Sequence, residues 1–493
     1  GSHSFFAGTN VLHARPTTDW HVNGDREYRF LNGEPNQIIL RATPKKEMNR
    51  MNDVAIFVAD RWTIDRLTLN LGLRYTQFMG YVPEQVVPAG TFIPAVTYPK
   101  VPDVVNWRDL TPRGGVAYDL RGDGRTALKF SMSKFLVGHA GDVVNRDNPQ
   151  STIADNATRA WFDRNGNFVE DCDLLNPDEN GECGPISNRR FGQTTNRTTF
   201  QDPATQRGYG VRDYSWEIAT GIQQQLWSGV SVEGTYFRRW YGNFLATDNR
   251  LVGPGDFDPF CFGAPMDARL PGGGGNQICG LYDVRPERFG LVDELVTFAD
   301  TFGKRTEIYN GADLTLNARL PGRAFVQGGI NIGRTATNDC DVRPDSPQRV
   351  FCDIRPLFLT DVKLAVSYPL PWWELQLSGT VLSSPGPEIT ANYAASSNEV
   401  AGSLGRPLAS GRTTTVPLIE PGTMYGERLN QLDLRLAKNF KLSRYTFRGL
   451  LDLYNVFNAN TVLALNTTYG PRWLTPLNIL PGRFVKFGMQ MTF

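Results

Sequence analysis

Three observations predict an all-β fold, a transmembrane antiparallel β-barrel with about fourteen strands present. Residues 66–77 alternate strictly: Leu67, Leu69, Leu71, Leu73 and Tyr75 are interleaved with Thr68, Asn70, Gly72, Arg74 and Thr76, the period of a strand with one apolar face. The pattern recurs in six hairpins whose tight turns alternate with long polar segments. The last residues, Lys486 to Phe493, alternate again and end on an aromatic.

The elements follow in chain order. A first strand spans about 4–14, and residues 26–42 read as a small extra hairpin in the loop after it. Strands 51–62 and 66–77 meet at Thr63-Ile64-Asp65, 113–120 and 124–137 at Gly122-Asp123, and 213–227 and 229–242 at Ser228. Strands 305–320 and 323–335 meet across Pro321-Gly322, 357–368 and 372–383 across Pro369-Leu370-Pro371, and 427–440 and 444–457 across Leu442-Ser443. A last strand covers 483–493. The long segments between hairpins are 78–112, 138–212, 243–304, 336–356, 384–426 and 458–482. Short turns on one side and long loops on the other are what a membrane barrel shows, with its lipid-facing side apolar and residues such as Arg74 pointing to the interior. A soluble β-sandwich adhesin shares the alternation but has to pack its apolar faces on each other.

Composition agrees. The 493 residues include 49 Gly, 32 Pro, 29 Phe, 17 Tyr and 10 Trp, which suits many short strands and polar loops. No run approaches the roughly 18 consecutive apolar residues of a spanning helix, so a helical membrane protein is excluded and any crossing must be made by strands. With 51 basic and 50 acidic residues the net charge is +1, which offers no footprint for nucleic acid, and none is expected as a partner. The chain starts without a Met, which reads as a truncated or processed start. Trp216, Trp227, Trp240, Tyr241, Trp372 and Trp373 fall near strand ends, where interfacial girdles form. For Phe257, Phe260 and Phe262, in a long loop, contact with a substrate is open.

The six cysteines form three local pairs in polar segments, Cys172/Cys183, Cys261/Cys279 and Cys340/Cys352, and read as disulfides made in an oxidising compartment. No CxxC spacing or neighbouring His supports zinc. Asp163, Asn165, Asn167, Asp171 and Asp173 crowd oxygen ligands around a Gly, as calcium loops do, and Asp178, Asn180 and Glu182 would extend the site. Leu174 stands where an EF-hand needs its bidentate Glu, so a polar loop pinned by Cys172 and Cys183 is the competing interpretation. No cofactor is required beyond this calcium candidate. Gly272 to Gly275 lack the Lys-Ser/Thr of a phosphate loop. His3, His13, His21 and His139 have no nucleophile motif around them, and no enzyme activity is expected.

In the final strand Phe487, Met489, Met491 and Phe493 share one face and Lys486, Gly488, Gln490 and Thr492 the other. With its terminal aromatic, this ending resembles the signal by which outer-membrane barrels are recognised by their assembly machinery. "LDLYNVFNANTV" (Leu451 to Val462) and "GRFVKFGMQMTF" resemble the last two strands of TonB-dependent outer-membrane receptors, and "VAIFVADRWTIDRLTLNLGLRYTQF" resembles their mid-barrel strands. "RDLTPRGGVAYDLRGDGRTALKFSMSKF" and "FGKRTEIYNGADLTLNARL" look like the Oar-like members that carry a carboxypeptidase-regulatory-like domain. The resemblance implies a bacterial outer-membrane location, lipid around the wall, and a barrel of about 22 strands of which this chain supplies the C-terminal part. It also implies a TonB complex engaged through an N-terminal plug not present in this chain. The expected function is uptake of a scarce solute, a siderophore, cobalamin or an oligosaccharide captured outside the cell. The alternative is a passive pore or surface-binding barrel without a plug.

Overall fold

A computed structural model describes residues 1–442 and 444–493; Ser443, in one of the expected turns, lies outside the described residues. Fourteen long strands form one sheet: β1 (Ser2–Ala14), β2 (Arg50–Ile64), β3 (Leu67–Val82), β4 (Val101–Asp119), β5 (Thr126–Leu136), β6 (Tyr214–Trp227) and β7 (Val230–Gly242). The rest are β8 (Thr306–Leu320), β9 (Ala324–Asn338), β10 (Leu359–Pro369), β11 (Leu375–Ser384), β12 (Leu429–Leu442), β13 (Tyr445–Tyr454) and β14 (Phe484–Thr492). Each pairs antiparallel with its neighbour in sequence, so β1 and β14 are the two edges of the sheet.

Register carries the alternation across the sheet. Arg74 stands opposite Phe57 on β2 and Thr111 on β4, while Leu73 stands opposite Val58 and Pro112 on the other face. One face is therefore polar, with Lys129 bridging to Glu233 at 3.0 Å and Arg239 to Glu217 at 2.5 Å. The other presents Leu71, Leu73, Phe130, Ile222, Leu314, Ile330 and Val381, all exposed, to the surroundings. A sheet that exposes a continuous apolar band on one face and gathers its ion pairs on the other is matched to lipid rather than to water.

Two expected loop boundaries are corrected. β3 runs on to Val82 and β4 begins at Val101, so much of 78–112 is strand. Here Phe78, Val82, Val104, Val105 and Trp107 are buried against Val143 and Val144 of the short helix Asp142–Asn145, so the strands continue where a loop covers them. The hairpin at 26–42 exists as Arg26–Leu31 and Glu34–Arg41, and a third strand, Asn156–Ala160, joins it from a distant loop. The other long loops fold likewise. Hairpin Phe257–Gly263 with Gln277–Val284, hairpin Asn392–Ser396 with Thr413–Pro417 and helix Ser397–Leu404 all lie at the long-loop end.

At the opposite end the turns are tight. Asp119 closes the β4–β5 turn by accepting the backbone N–H groups of Arg121, Gly122 and Gly124. Trp372 and Trp373 are exposed beside the β10–β11 turn, and Trp216 stacks on Trp240 at 6.5 Å on the apolar face near the long-loop end, as girdle residues do. Tyr241 is an exception. It pairs with Ser215 and so faces the polar side, where it lines a cavity.

Candidate functional site

The loops are a folded layer with a core of their own. Phe260, Phe262, Leu270 and Leu281 from one loop, Val400, Val416 and Ile419 from a second and Trp473 from a third are all buried in one cluster. Trp473 donates its indole N–H to the Thr390 carbonyl at 2.9 Å. Arg406 joins the first two of these loops through charge, bonding Asp258 and Asp283 at 2.5–3.0 Å. Asp267 receives hydrogen bonds from Arg269 and then from Tyr469, which hold its carboxyl well below the usual carboxylate range. Phe260 and Phe262 are thus core residues, at 3% and 6% exposure, and open no face to a substrate.

All three expected disulfides are present. Cys261–Cys279 ties the two strands of the hairpin that feeds the loop core, Cys340–Cys352 closes the loop above β9, and Cys172–Cys183 sits against buried Trp161. The four glycines from Gly272 to Gly275 all have positive φ, and a Cβ at Gly274 would lie 2.0 Å from the Pro265 carbonyl. They shape a close turn.

Asp163, Asn165, Asn167 and Asp171 share a single turn. Asp163 accepts the N–H groups of Gly166 and Phe168 at 2.7 and 2.9 Å, and Asp171 accepts the side-chain amides of Asn165 and Asn167 at 2.6 and 3.1 Å. Asp173, beyond Cys172, accepts from Leu175 N–H. Glu182 is buried and accepts from Arg164 N–H at 2.7 Å, while Asp178 pairs with Arg189. Among the described residues no group of three or more His, Cys, Asp or Glu is placed to hold a metal.

In β14, Phe487, Met489 and Met491 stand exposed on the apolar side, and Phe493 is exposed just past its end. Gly488 opposes Leu450, whose side chain would lie 3.5 Å from a Cβ there, and Lys486 opposes Asp452 on the polar side.

Sequence motifs did not point to the cavity where β4 to β8 meet the loops. It has a volume of about 340 Å³ and is lined by Trp107, His139, Arg212, Asp213, Tyr241 and Arg305, among others. The Arg212 guanidinium lies over the Phe78 and Trp107 rings at 5.4 and 5.5 Å, is 5% exposed, and has no hydrogen-bond acceptor for its Nε among the described residues. Burial presses its pKa down against the pull of Asp109, Asp53 and Asp213. His139 pairs with Asp213 at 2.6 Å, and Trp107 donates to the Thr205 carbonyl. Buried cation, aromatic faces and a His–Asp pair in one pocket can hold a polar ligand. Arg212 sits in an irregular stretch, where no periodicity marks it.

No curated protein sequence matches the chain. Among solved structures it is similar to the outer membrane transporter YddB from Escherichia coli, at 10% identity and a TM-score of 0.50, covering 99% of this chain and 51% of that one. The FrpB iron transporter from Neisseria meningitidis aligns at 12% identity and a TM-score of 0.48, over 99% of this chain and 54% of that one. The chain thus spans about half the length of these transporters, and at such identity the likeness to YddB concerns the fold alone. Residues 2–320 match the family described as outer membrane beta barrel domain, and the chain, with its apolar outer face, polar inner face and alternating short turns and long loops, belongs to that family and to the bacterial outer membrane.

Proposed function

We propose that this chain is the C-terminal barrel portion, residues 1–493, of a TonB-dependent outer-membrane receptor of the Oar-like type, taking up a scarce solute such as a siderophore, cobalamin or an oligosaccharide. The observation that carries this reading is the folded layer of loops over the strand ends, with a cavity lined by buried Arg212 and Trp107 and by half-buried His139 at its base. A passive pore has no need of a disulfide-tied, independently packed layer above its mouth. β1 and β14 both present unpaired edges, and a lipid-embedded sheet must close, so closure by further strands is part of this proposal. A plug threaded inside those strands would reach the TonB complex, and the exposed aromatic ending of β14 would serve the assembly machinery. No catalytic step is proposed.

The test is to purify the native protein from outer membranes of the source organism, determine its intact mass and record its conductance in planar bilayers. A mass far above that of this chain together with a silent bilayer supports the receptor. A mass equal to this chain with steady conductance overturns it in favour of the pore. Calcium in the 163–173 turn is a subsidiary proposal, resting on five oxygen-bearing side chains close in sequence. Calorimetric titration with calcium, lost in Asp171→Asn, supports it, and no heat of binding in the wild type refutes it.

A further inference from the structure

The spanning strands sort their charges by face. From β5 to β12 the carboxylates Glu217, Glu233, Glu307, Asp313, Asp361 and Asp433 all lie on the polar inner face, as their register partners Arg239, Thr315, Thr337, Asn331 and Thr380 show. The outer face of the same strands carries cations and, among the described residues, no carboxylate. Lys134, Arg238 and Arg334 stand within about five residues of the long-loop ends of β5, β7 and β9, and Lys438 stands toward the tight-turn end of β12.

The three cations at the long-loop end form one patch. Lys134 opposes Trp216, which opposes Trp240, and its ammonium lies 4.6 Å from the Tyr214 ring centre. Two residues further from the loops, Arg238, Asn310 and Arg334 share one row across three adjacent strands. Arg238 donates to the Asn310 side-chain oxygen at 3.0 Å, and the Arg334 guanidinium lies 4.4 Å from the Phe358 ring centre. None of the three forms an ion pair among the described residues; the two arginines have no carboxylate nearby, and Lys134 feels the charge of Asp109 from a distance. With strands about 4.8 Å apart, the two arginines are on the order of 10 Å apart at the backbone.

Charge of one sign on a lipid-facing surface is costly in hydrocarbon and is tolerated at the headgroup level, which the Trp216–Trp240 stack marks. An uncompensated pair of guanidinium forks with a nearby ammonium is complementary to phosphate, which arginine grips through two parallel N–H bonds. We infer that the outer face of β5 to β9 binds, at its extracellular end, a lipid of the outer leaflet whose headgroup carries phosphate, with Arg238 and Arg334 on the phosphate oxygens and Lys134 at the rim. The site is on the lipid side of the wall, so it stands whether the barrel is a receptor or a pore.

The test uses the full chain in dodecyl maltoside micelles, diphosphoryl lipid A as probe, and native mass spectrometry. Wild-type protein retains the lipid, dephosphorylated lipid A is not retained, and millimolar inorganic phosphate does not displace the bound lipid. The Lys134→Gln/Arg238→Gln/Arg334→Gln variant binds about tenfold more weakly or worse, while Lys438→Gln, an outer-face cation away from the patch, binds as wild type does. Folding of each variant is checked by its faster migration unboiled than boiled. Should the triple variant not fold, Arg238→Lys/Arg334→Lys keeps the charge and loses the forks, and binding weakened about threefold is expected. Equal binding by whichever neutralised or lysine variant folds, equal weakening in Lys438→Gln, or displacement by inorganic phosphate overturns the proposal.

Discussion

The wall of the sheet and the layer of loops above it bury apolar residues in opposite ways. In the wall, Leu71, Leu314, Ile330 and Val381 are exposed, because their partner is lipid and lies outside the molecule. In the loops, Phe260, Leu281, Val400 and Trp473 are buried against each other, as in a soluble domain. One chain thus meets two solvents. Damage to either region should therefore leave the other standing, with the loop layer failing as a small water-soluble fold and the wall failing only at insertion.

The largest expected effect is in the loops. Trp473→Ala removes a fully buried indole at the point where three loops meet, at a cost of about 3–5 kcal/mol. Surface protease should then cleave within 243–304 or 384–426 while the protein still shows a heat-modifiable gel shift. Loss of that shift would mean that layer and wall fold as one unit, and the comparison breaks. The next effect is in the wall. Leu314→Arg places a charge on the outer face of β8 and costs about 2–4 kcal/mol if it falls near mid-membrane. Thr315→Arg, its neighbour on the polar face, should cost little. The readout is the folded fraction after assembly into lipid vesicles, and equal yields for the two would refute the assignment of faces.

A smaller effect tests how the loops are joined. Arg406→Met leaves Asp258 and Asp283 without their shared cation and should cost about 1.5–3 kcal/mol, seen as faster hydrogen exchange in both the 257–284 and 392–417 hairpins. Faster exchange in one hairpin alone would mean that the bridge braces a single loop.

The two regions also differ in how legible they are. Strands of the wall can be read from sequence because each face has one partner, lipid or lumen, and period two survives along the chain. It failed at 78–82 and 101–112, where Phe78, Val104 and Trp107 bury against a loop helix and the alternation ceases to distinguish strand from loop. Disulfides were readable because each joins cysteines 11 to 18 residues apart. The loop core was not, since its bonds link residues far apart in sequence: Arg406 and Asp258 are separated by 148 positions, and Tyr469 and Asp267 by 202. Nothing local in either partner announces the other. Arg212 is illegible for the same reason, because its setting is made by Phe78 and Trp107 on strands far from it in sequence.

The smallest effect is on pH, and it should separate the regions by titration. Hydrogen bonds from Arg406 and then Arg285 hold the Asp258 carboxyl below its ordinary range, and Asp267 is held lower still by Arg269. A depressed carboxylate contributes stability above its unfolded pKa of about 3.9, and that contribution is lost as pH falls through the folded value. The loop layer should therefore show the same protease resistance from pH 8 to 5 and loosen below about pH 4. The outer face of the wall gains its stability from apolar contact with lipid, so the gel shift should persist in that acid range. Asp258→Asn should remove part of the acid sensitivity of the loops and leave the wall as it was, whereas loosening that begins between pH 8 and 5 would point to histidine rather than to these carboxylates.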